Sequence, residues 1–440
     1  MCEACAGSAS SEKLEKGEGV QTLNRLEGVR FVMWGFPEPT QTFIHREFQE
    51  MVRQGLRVQI LAGAKRDMSV QPEDIQEIVK NDTIYLGNPV VWFLKGLLVG
   101  TFSGLPFWRV LCRMMKFKHK DFSHKLRAMA MTVAAASVAH KVKASGTRHL
   151  QAHFGSYQTE LAMALAWMIK CTYGGTWHAV DIWKDANILP DKIRHSEVVF
   201  TCTKYNADHL VDVAGDVADK VRLSYHGLDF SRLPVPAEFA PLPCDGAAGV
   251  LPEVIAIGRL VPKKGFNFLI DAVAKLAREK FPVHLTIVGD GPLESALKNQ
   301  VEDLNLEERV TFTGSLNNRS TLNCVNKAHL LAAPSIQDKD GNIDGIPNVT
   351  LEAMALARPV IGTRLSGIPE VVNDNTGALV DCADVDGLAE AMKRLLSDRE
   401  GLIRRGKNAQ EFVYGHFDVH KNIEIQLNKF AEILSAGKSR

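Results

Sequence analysis

The stretch HLLAAPSIQDKDGNIDGIPNVTLEAMALARPVIGT, from His329 to Thr363, limits the folds open to this chain more than any other. HLLAAPS reads as a short buried strand that ends in a loop of Asp, Gly and Asn. Pro347 and Asn348 mark a helix start, because the missing N–H of proline falls where helical donors are unpaired anyway. Val349 to Ala357 are good helix formers, and Arg358-Pro359 stops them ahead of a second strand, PVIGT. The same grammar opens the protein: strand VRFVMW (Val29 to Trp34), loop GFPEPTQTF, a helix from about Phe43 to Arg53, and strand RVQILA (Arg57 to Ala62). Strands alternating with helices in this way predict an α/β fold built on parallel sheets.

Asp344, Gly345 and Ile346 sit at the mouth of the later helix, and Asn348 and Val349 open its first turn. Free backbone N–H groups and the helix dipole favour an anion there. Glu352, eight positions after Asp344, lies about two turns in. The arrangement suits a phosphorylated sugar: N–H groups take a diphosphate, and carboxylates accept paired hydrogen bonds from vicinal hydroxyls. Taken in isolation, the motif is equally well described as a polar loop and a helix with a solvated Glu.

DGIPNVTLEAMA, followed by ARPVIGT and SGIPEVV, resembles the E-x7-E signature of retaining, GT-B-fold glycosyltransferases of family 4. The longer run GNIDGIPNVTLEAMA resembles bacterial enzymes that build exopolysaccharides such as colanic acid. The first acid is Asp344 where the family usually has Glu, so its contact to the donor sugar is longer or water-mediated. The resemblance spans Val29 to Phe430. It implies two Rossmann-like domains facing across a cleft, with a C-terminal helix crossing back to the first domain. It also implies transfer of a hexosyl group, with retention, from a nucleotide-diphosphate sugar to a glycan or lipid-linked acceptor.

At 440 residues and 45% apolar content, two domains are expected. The expected division is a disordered segment 1–27, an acceptor-side domain 28–232, a Pro/Ala/Gly-rich linker 233–250, a nucleotide-sugar domain 251–416 and a returning helix 417–440. The first segment is polar and lacks the apolar core of a secretory signal. Lys and Arg number 52 against 51 Asp and Glu, which gives no global reason to expect nucleic acid. Of the eight cysteines only Cys2 and Cys5 are close, and they read as reduced cytosolic thiols. No run reaches the roughly 18 to 20 apolar residues of a spanning helix.

Residues 90–127 combine Trp92, Phe93, Leu97, Leu98, Phe102, Phe107 and Trp108 with Arg109, Arg113, Lys116, Lys118, Lys120, Lys125 and Arg127. Helices of this composition can lie in an anionic membrane interface, giving a cytoplasmic protein with a peripheral membrane contact. The competing description is two core helices with a solvated basic face.

Further candidates follow from the resemblance. Thr40 and Thr42 face the diphosphate from the opposite side of the cleft, or are ordinary helix caps. His178 and Asp181 match a family H-A-x-D segment whose His looks at the transferred sugar or the phosphate; a single His at a strand end is otherwise commonly structural. His153, at the exit of the preceding strand, lines the acceptor side, and His226 stands where the family's N-G-V-D turn has Asn. The pattern G-R-L-x-x-x-K-G is met by Gly258 to Gly265, so Arg259 and Lys264 become the cations on the diphosphate. Gly289 and Gly291 allow close backbone approach, and Thr313 to Leu316, with Gly314, lie against the base.

Asp338 and Asp340 form a D-x-D pair, but Lys339 sits between them, no third ligand follows, and the two cations already offer the charge a metal would supply. Neither a catalytic metal nor a cofactor is expected. No motif places a carboxylate as a covalent nucleophile, so the two-carboxylate scheme of retaining glycosidases is unsupported. The resemblance implies same-face attack assisted by the departing phosphate. Arg259 and Lys264 then hold the leaving group, Asp344 the sugar, Glu352 the ribose, and His178 the sugar or acceptor. A nucleotide-sugar epimerase or a non-catalytic nucleotide-sugar-binding protein would share the architecture; a phosphorylase would need a pyridoxal phosphate lysine motif, which is not evident.

Overall fold

The structure is a computed structural model that describes residues 26–38, 42–65, 73–102, 104–240 and 251–436. Two parallel sheets dominate. The first contains β1 (Val29–Phe36), β2 (Gln59–Lys65), β3 (Thr83–Tyr85), β4 (His149–His153), β5 (Thr172–Trp177), β6 (Val199–Thr201) and β7 (Val221–Leu223), in the order β3-β2-β1-β4-β5-β6-β7. The second contains β8 (Glu253–Ile257), β9 (His284–Val288), β10 (Val310–Gly314), β11 (Leu330–Ala333), β12 (Val360–Thr363) and β13 (Gly377–Val380), in the order β10-β9-β8-β11-β12-β13. Strands such as β8 and β11 are near-continuous apolar runs because helices cover both faces of each sheet.

In each sheet the order reverses beside the first strand, between β1 and β4 and between β8 and β11. Ligands of open parallel sheets bind outside the carboxyl ends of the strands at such switch points. The loops at Gly258–Gly265 and 334–347, which the sequence marks out, leave the switch-point strands β8 and β11.

The final helix, Val419–Ala436, returns to the first sheet and buries Val419, Ile423, Leu427 and Phe430 among Phe31, Phe48 and Phe200. The Phe430 ring stands edge-on to Phe31 and Phe200, with centroids 6.1 and 6.0 Å away. Of the segment expected to be disordered, residues 1–25 lie outside the described part, and Leu26 is packed into this same core. The linker's described part is held on the second half: Asn326 Nδ2 donates to Val235 O at 2.8 Å, and the Arg358 guanidinium stacks on Phe239, 4.2 Å from the ring centre. Residues 241–250 lie outside the described part.

The region 90–127 departs from the description as two core helices. Helix Pro89–Phe102 seats Trp92, Gly96 and Gly100 inward. A Cβ on Gly96 would stand 2.1 Å from Val133 O of helix Phe122–Ala144, so only glycine lets these helices pack this closely. The outer face leaves Leu94, Leu98 and Phe102 at 62, 61 and 83% exposure, which excludes a core helix.

Candidate active site

A cavity of about 570 Å³ lies between the carboxyl ends of the two sheets. Phe43, Phe154, His178, Cys202 and His226 line it from the first half; Gly258, Lys263, Lys264, Asp344 and Glu352 line it from the second.

The second-half wall follows from its glycines. Gly265 has φ 66°, and a Cβ there would fall 2.0 Å from Pro334 O, so the loop after β8 presses against the loop after β11 only because residue 265 lacks a side chain. That contact carries two lysines to one carboxylate: Lys263 Nζ lies 2.8 Å from Asp344 Oδ1 and Lys264 Nζ 2.7 Å from Asp344 Oδ2. Burial alone would raise the Asp344 carboxyl, but Lys264 and Lys263 hold it below the usual carboxylate range. Helix Asn348–Ala355 begins at Pro347 with no side-chain cap, so its first N–H groups face the cavity without an internal acceptor from a cap. Gly345, Ile346, Asn348 and Val349 line the cavity at this mouth. One turn on, Glu352 meets Arg46 of helix Thr42–Arg53 at 3.8 Å, an ion pair that crosses between the halves. Burial raises the Glu352 carboxyl and Arg46 opposes it.

On the first-half wall, β5 stops at Trp177, which puts His178 at its exit. The Asp181 carboxylate accepts the backbone N–H groups of His178 (2.8 Å) and Gly155 (2.6 Å), turning the chain into a π-helical turn at Val180–Lys184. Asp181 is therefore buried behind the wall and does not line the cavity; burial pushes its carboxyl up to about 7 against the pull of the two N–H groups. It positions His178, whose imidazole is held well below its ordinary pKa by burial and by the neighbouring His226 and His153. His178 thus faces the cavity as a neutral ring.

Several candidates fall elsewhere. His153 is fully buried between Phe31 and Phe48, with ring centroids 5.8 and 5.5 Å away, and does not reach the cavity. Arg259 is exposed in the loop after β8, outside the lining. Gly289 and Gly314 are outside the cavity lining, joined by a 2.9 Å hydrogen bond from Gly289 N to Gly314 O; a Cβ on Gly289 would fall 2.0 Å from Gly258 O, so the residue permits strand ends to close up. Thr40 and the Thr42 side chain lie outside the described residues. Asp340 pairs with Lys184 of the first half, and Asp338 accepts its neighbour Lys339's N–H.

The structure thus brings together His178, Gly258, Lys264, Asp344, Gly345, Ile346, Asn348, Val349 and Glu352. It adds residues that sequence reading missed. Lys263 adjoins Lys264 and no spacing distinguishes the two, whereas Arg46 carries no local signal. His226, singled out in sequence only for replacing the turn's Asn, pairs through Nδ1 with Glu47 at 2.7 Å; burial opposes its protonation, but Cys202 and Glu47 raise it to about 10. Glu370 joins the halves by accepting N–H groups of Lys204 and Tyr205, both at 2.8 Å, at the start of helix Lys204–Ala214, and the Tyr225 hydroxyl at 2.9 Å.

Residues 251–398 match the family model described as glycosyl transferases group 1. WcaL of Escherichia coli K12, named as a colanic acid biosynthesis glycosyltransferase, is 25% identical over 93% of this chain and 99% of its own length. A Mycobacterium tuberculosis enzyme named GDP-mannose-dependent alpha-(1-6)-phosphatidylinositol monomannoside mannosyltransferase is 33% identical over 50% of this chain, and the match spans 57% of that enzyme. Among solved structures, Anabaena HepE in complex with UDP superposes with a TM-score of 0.66 at 17% identity, over 93% of this chain and 99% of its own. The lipopolysaccharide outer core galactosyltransferase WaaB superposes with a TM-score of 0.65 at 14% identity, over 93% of this chain and 99% of its own. With its two parallel sheets in the GT-B arrangement and a glycosyl transferases group 1 domain at 251–398, the chain is a glycosyltransferase.

Proposed function

We propose that this glycosyltransferase moves a hexosyl group, with retention, from a nucleotide-diphosphate sugar to a glycan or lipid-linked acceptor in exopolysaccharide or cell-surface glycan synthesis. One observation carries the reading: two lysines, one carboxylate and an uncapped helix N-terminus meet in a single cavity opposite a neutral His178. Without donor, Asp344 holds both ammonium groups. A diphosphate offers them stronger charge, freeing Asp344 to accept sugar hydroxyls. As the bond from the anomeric carbon to the phosphate oxygen breaks, its electron pair leaves with the diphosphate, where Lys264 and the helix N–H groups stabilise it. The acceptor oxygen attacks the same face of the anomeric carbon and its proton passes to the departing phosphate oxygen. Arg259 belongs to this scheme only if its exposed side chain swings inward on donor binding. Residues 28–232 then form the acceptor side and 251–416 the donor side.

The relatives named for colanic acid and amylovoran biosynthesis support the pathway class, and UDP complexes of HepE support a nucleotide donor. The test is a panel of UDP- and GDP-sugars, read first by thermal shift and then by transfer to glycan and lipid-linked acceptors. An α-linked donor is expected to give an α-linked product by NMR. A β-linked product, or epimerised donor without acceptor, overturns the assignment.

The same reading places helix Pro89–Phe102 against an anionic membrane. Lys95, Arg109, Lys116 and Lys118 are exposed, whereas Arg113 stacks on Trp167 and Arg127 pairs with Asp185. Among the described residues no single helix is long and apolar enough to cross a membrane. Co-sedimentation with phosphatidylglycerol vesicles is expected, falling about tenfold or more in a Leu94→Asp/Leu98→Asp variant. Failure of the native protein to bind at any salt concentration ends the membrane proposal.

A further inference from the structure

We propose that His178, Cys202 and His226 form a binding site for a soft divalent transition metal, with an open fourth position facing the cavity. The residues come from three adjacent strand exits, β5, β6 and β7. One ligand atom from each lies within 4.8 Å of the other two. Tetrahedral coordination by two imidazole nitrogens and a thiolate sets ligand atoms about 3.5 Å apart, so a shift of about 1 Å closes the set on an ion.

Three further observations point to a ligand. Among the described residues neither ring nitrogen of His178 has a hydrogen-bond partner, and the residue is only 9% exposed. His226 Nδ1 is held by the buried Glu47 carboxylate at 2.7 Å, which leaves Nε2 as the ring nitrogen free to coordinate, with Cys202 close enough to interact with the ring. A carboxylate on the far nitrogen is the arrangement that fixes the tautomer and orientation of a metal-bound imidazole. Cys202 carries a free thiol on the cavity lining. Two imidazoles and a thiolate favour Zn²⁺, Co²⁺ or Cu²⁺ over Mg²⁺ or Mn²⁺, which separates this site from any oxygen-ligated metal of the transfer reaction. Binding releases the thiol proton and the proton on the coordinating nitrogen of His226. The ion would occupy the cavity beside His178 and exclude the donor sugar; that inhibitory consequence rests on the proposed function, whereas metal binding itself does not.

Co²⁺ titrated into the reduced full chain, without sugar nucleotide, tests the site. A single equivalent is expected to produce a near-ultraviolet thiolate-to-cobalt band and the visible bands of four-coordinate cobalt, both removed by Zn²⁺. Cys202→Ser is expected to abolish the thiolate band, while Cys2→Ser/Cys5→Ser retains it. Glu47→Gln is expected to weaken Zn²⁺ binding about 10- to 100-fold. In the native chain, Zn²⁺ should protect Cys202 from iodoacetamide about tenfold or more, read by mass spectrometry, a result that does not depend on how the variants fold. The absence of a thiolate band in the native chain overturns the proposal. So does a band that survives Cys202→Ser, or unaltered alkylation of Cys202 at saturating Zn²⁺.

Discussion

Lys264→Ala is expected to lower kcat/KM by about two to three orders of magnitude, the scale found when one preorganised charge donor is removed from a reacting group. The loss should fall mainly on kcat, because charge on the leaving diphosphate grows as the glycosidic bond breaks and an interaction that strengthens along that path lowers the barrier. Lys263 cannot replace it in place, since its ammonium sits on the other oxygen of Asp344. Glu352→Ala is expected to cost one or more orders of magnitude with a larger share in KM, if its carboxylate holds the ribose equally in ground and transition states. The apo pairing of Glu352 with Arg46 gives a control: Arg46→Ala removes the cross-cleft partner but leaves the carboxylate, so its effect should be smaller than that of Glu352→Ala. Steady-state kinetics with the best donor of the panel, alongside circular dichroism, decides the matter. Near-native kcat/KM for both Lys264→Ala and Glu352→Ala contradicts the site.

Lys192→Met is expected to destabilise the protein by about 3 to 5 kcal/mol in urea denaturation, the usual result of removing one member of a fully buried ion pair. Lys192 and Glu160 are both 0% exposed, with Nζ 3.2 Å from Oε1. Lys192 also donates to Gly155 O at 2.7 Å and Ser156 O at 3.2 Å. Without it, Glu160 keeps, among the described residues, Asn187 at 2.7 Å and the half-buried Arg127 at 3.4 Å. The double variant Lys192→Met/Glu160→Gln should recover much of the loss, because no uncompensated charge then remains buried. Gly155 links this network to the site, since its N–H is one of the two donors that hold Asp181 beneath His178. A loss below about 1 kcal/mol would show that the pair is solvated in solution and that the network does not brace the His178 wall.

The motifs that were legible in sequence are those whose chemistry is local. A helix mouth at Asp344–Val349, glycine at 258 and lysine at 264 are set by neighbours within a few positions, and the structure puts them on one cavity. His153 and Asp181 went astray for a stated reason. Strands of a parallel sheet are buried on both faces, so β4 lacks the alternation that would have shown which way His153 points. Asp181 matched a motif, but its oxygens are taken up by two backbone N–H groups that only the folded turn brings near. Arg259 met its pattern in spacing, yet the loop turns its side chain to solvent in this structure.

What the amino-acid order determined by itself was the succession of strands and helices and the helix-mouth chemistry, because apolar runs, proline stops and glycine turns act over a few residues. Tertiary structure alone decided the pairings between distant elements: Arg46 with Glu352, Glu370 with the helix at Lys204, Lys192 with Glu160, and the meeting of His178, Cys202 and His226. Each depends on which strand ends lie side by side, and that is fixed by crossover connections and sheet order, to which no local stretch of sequence is sensitive.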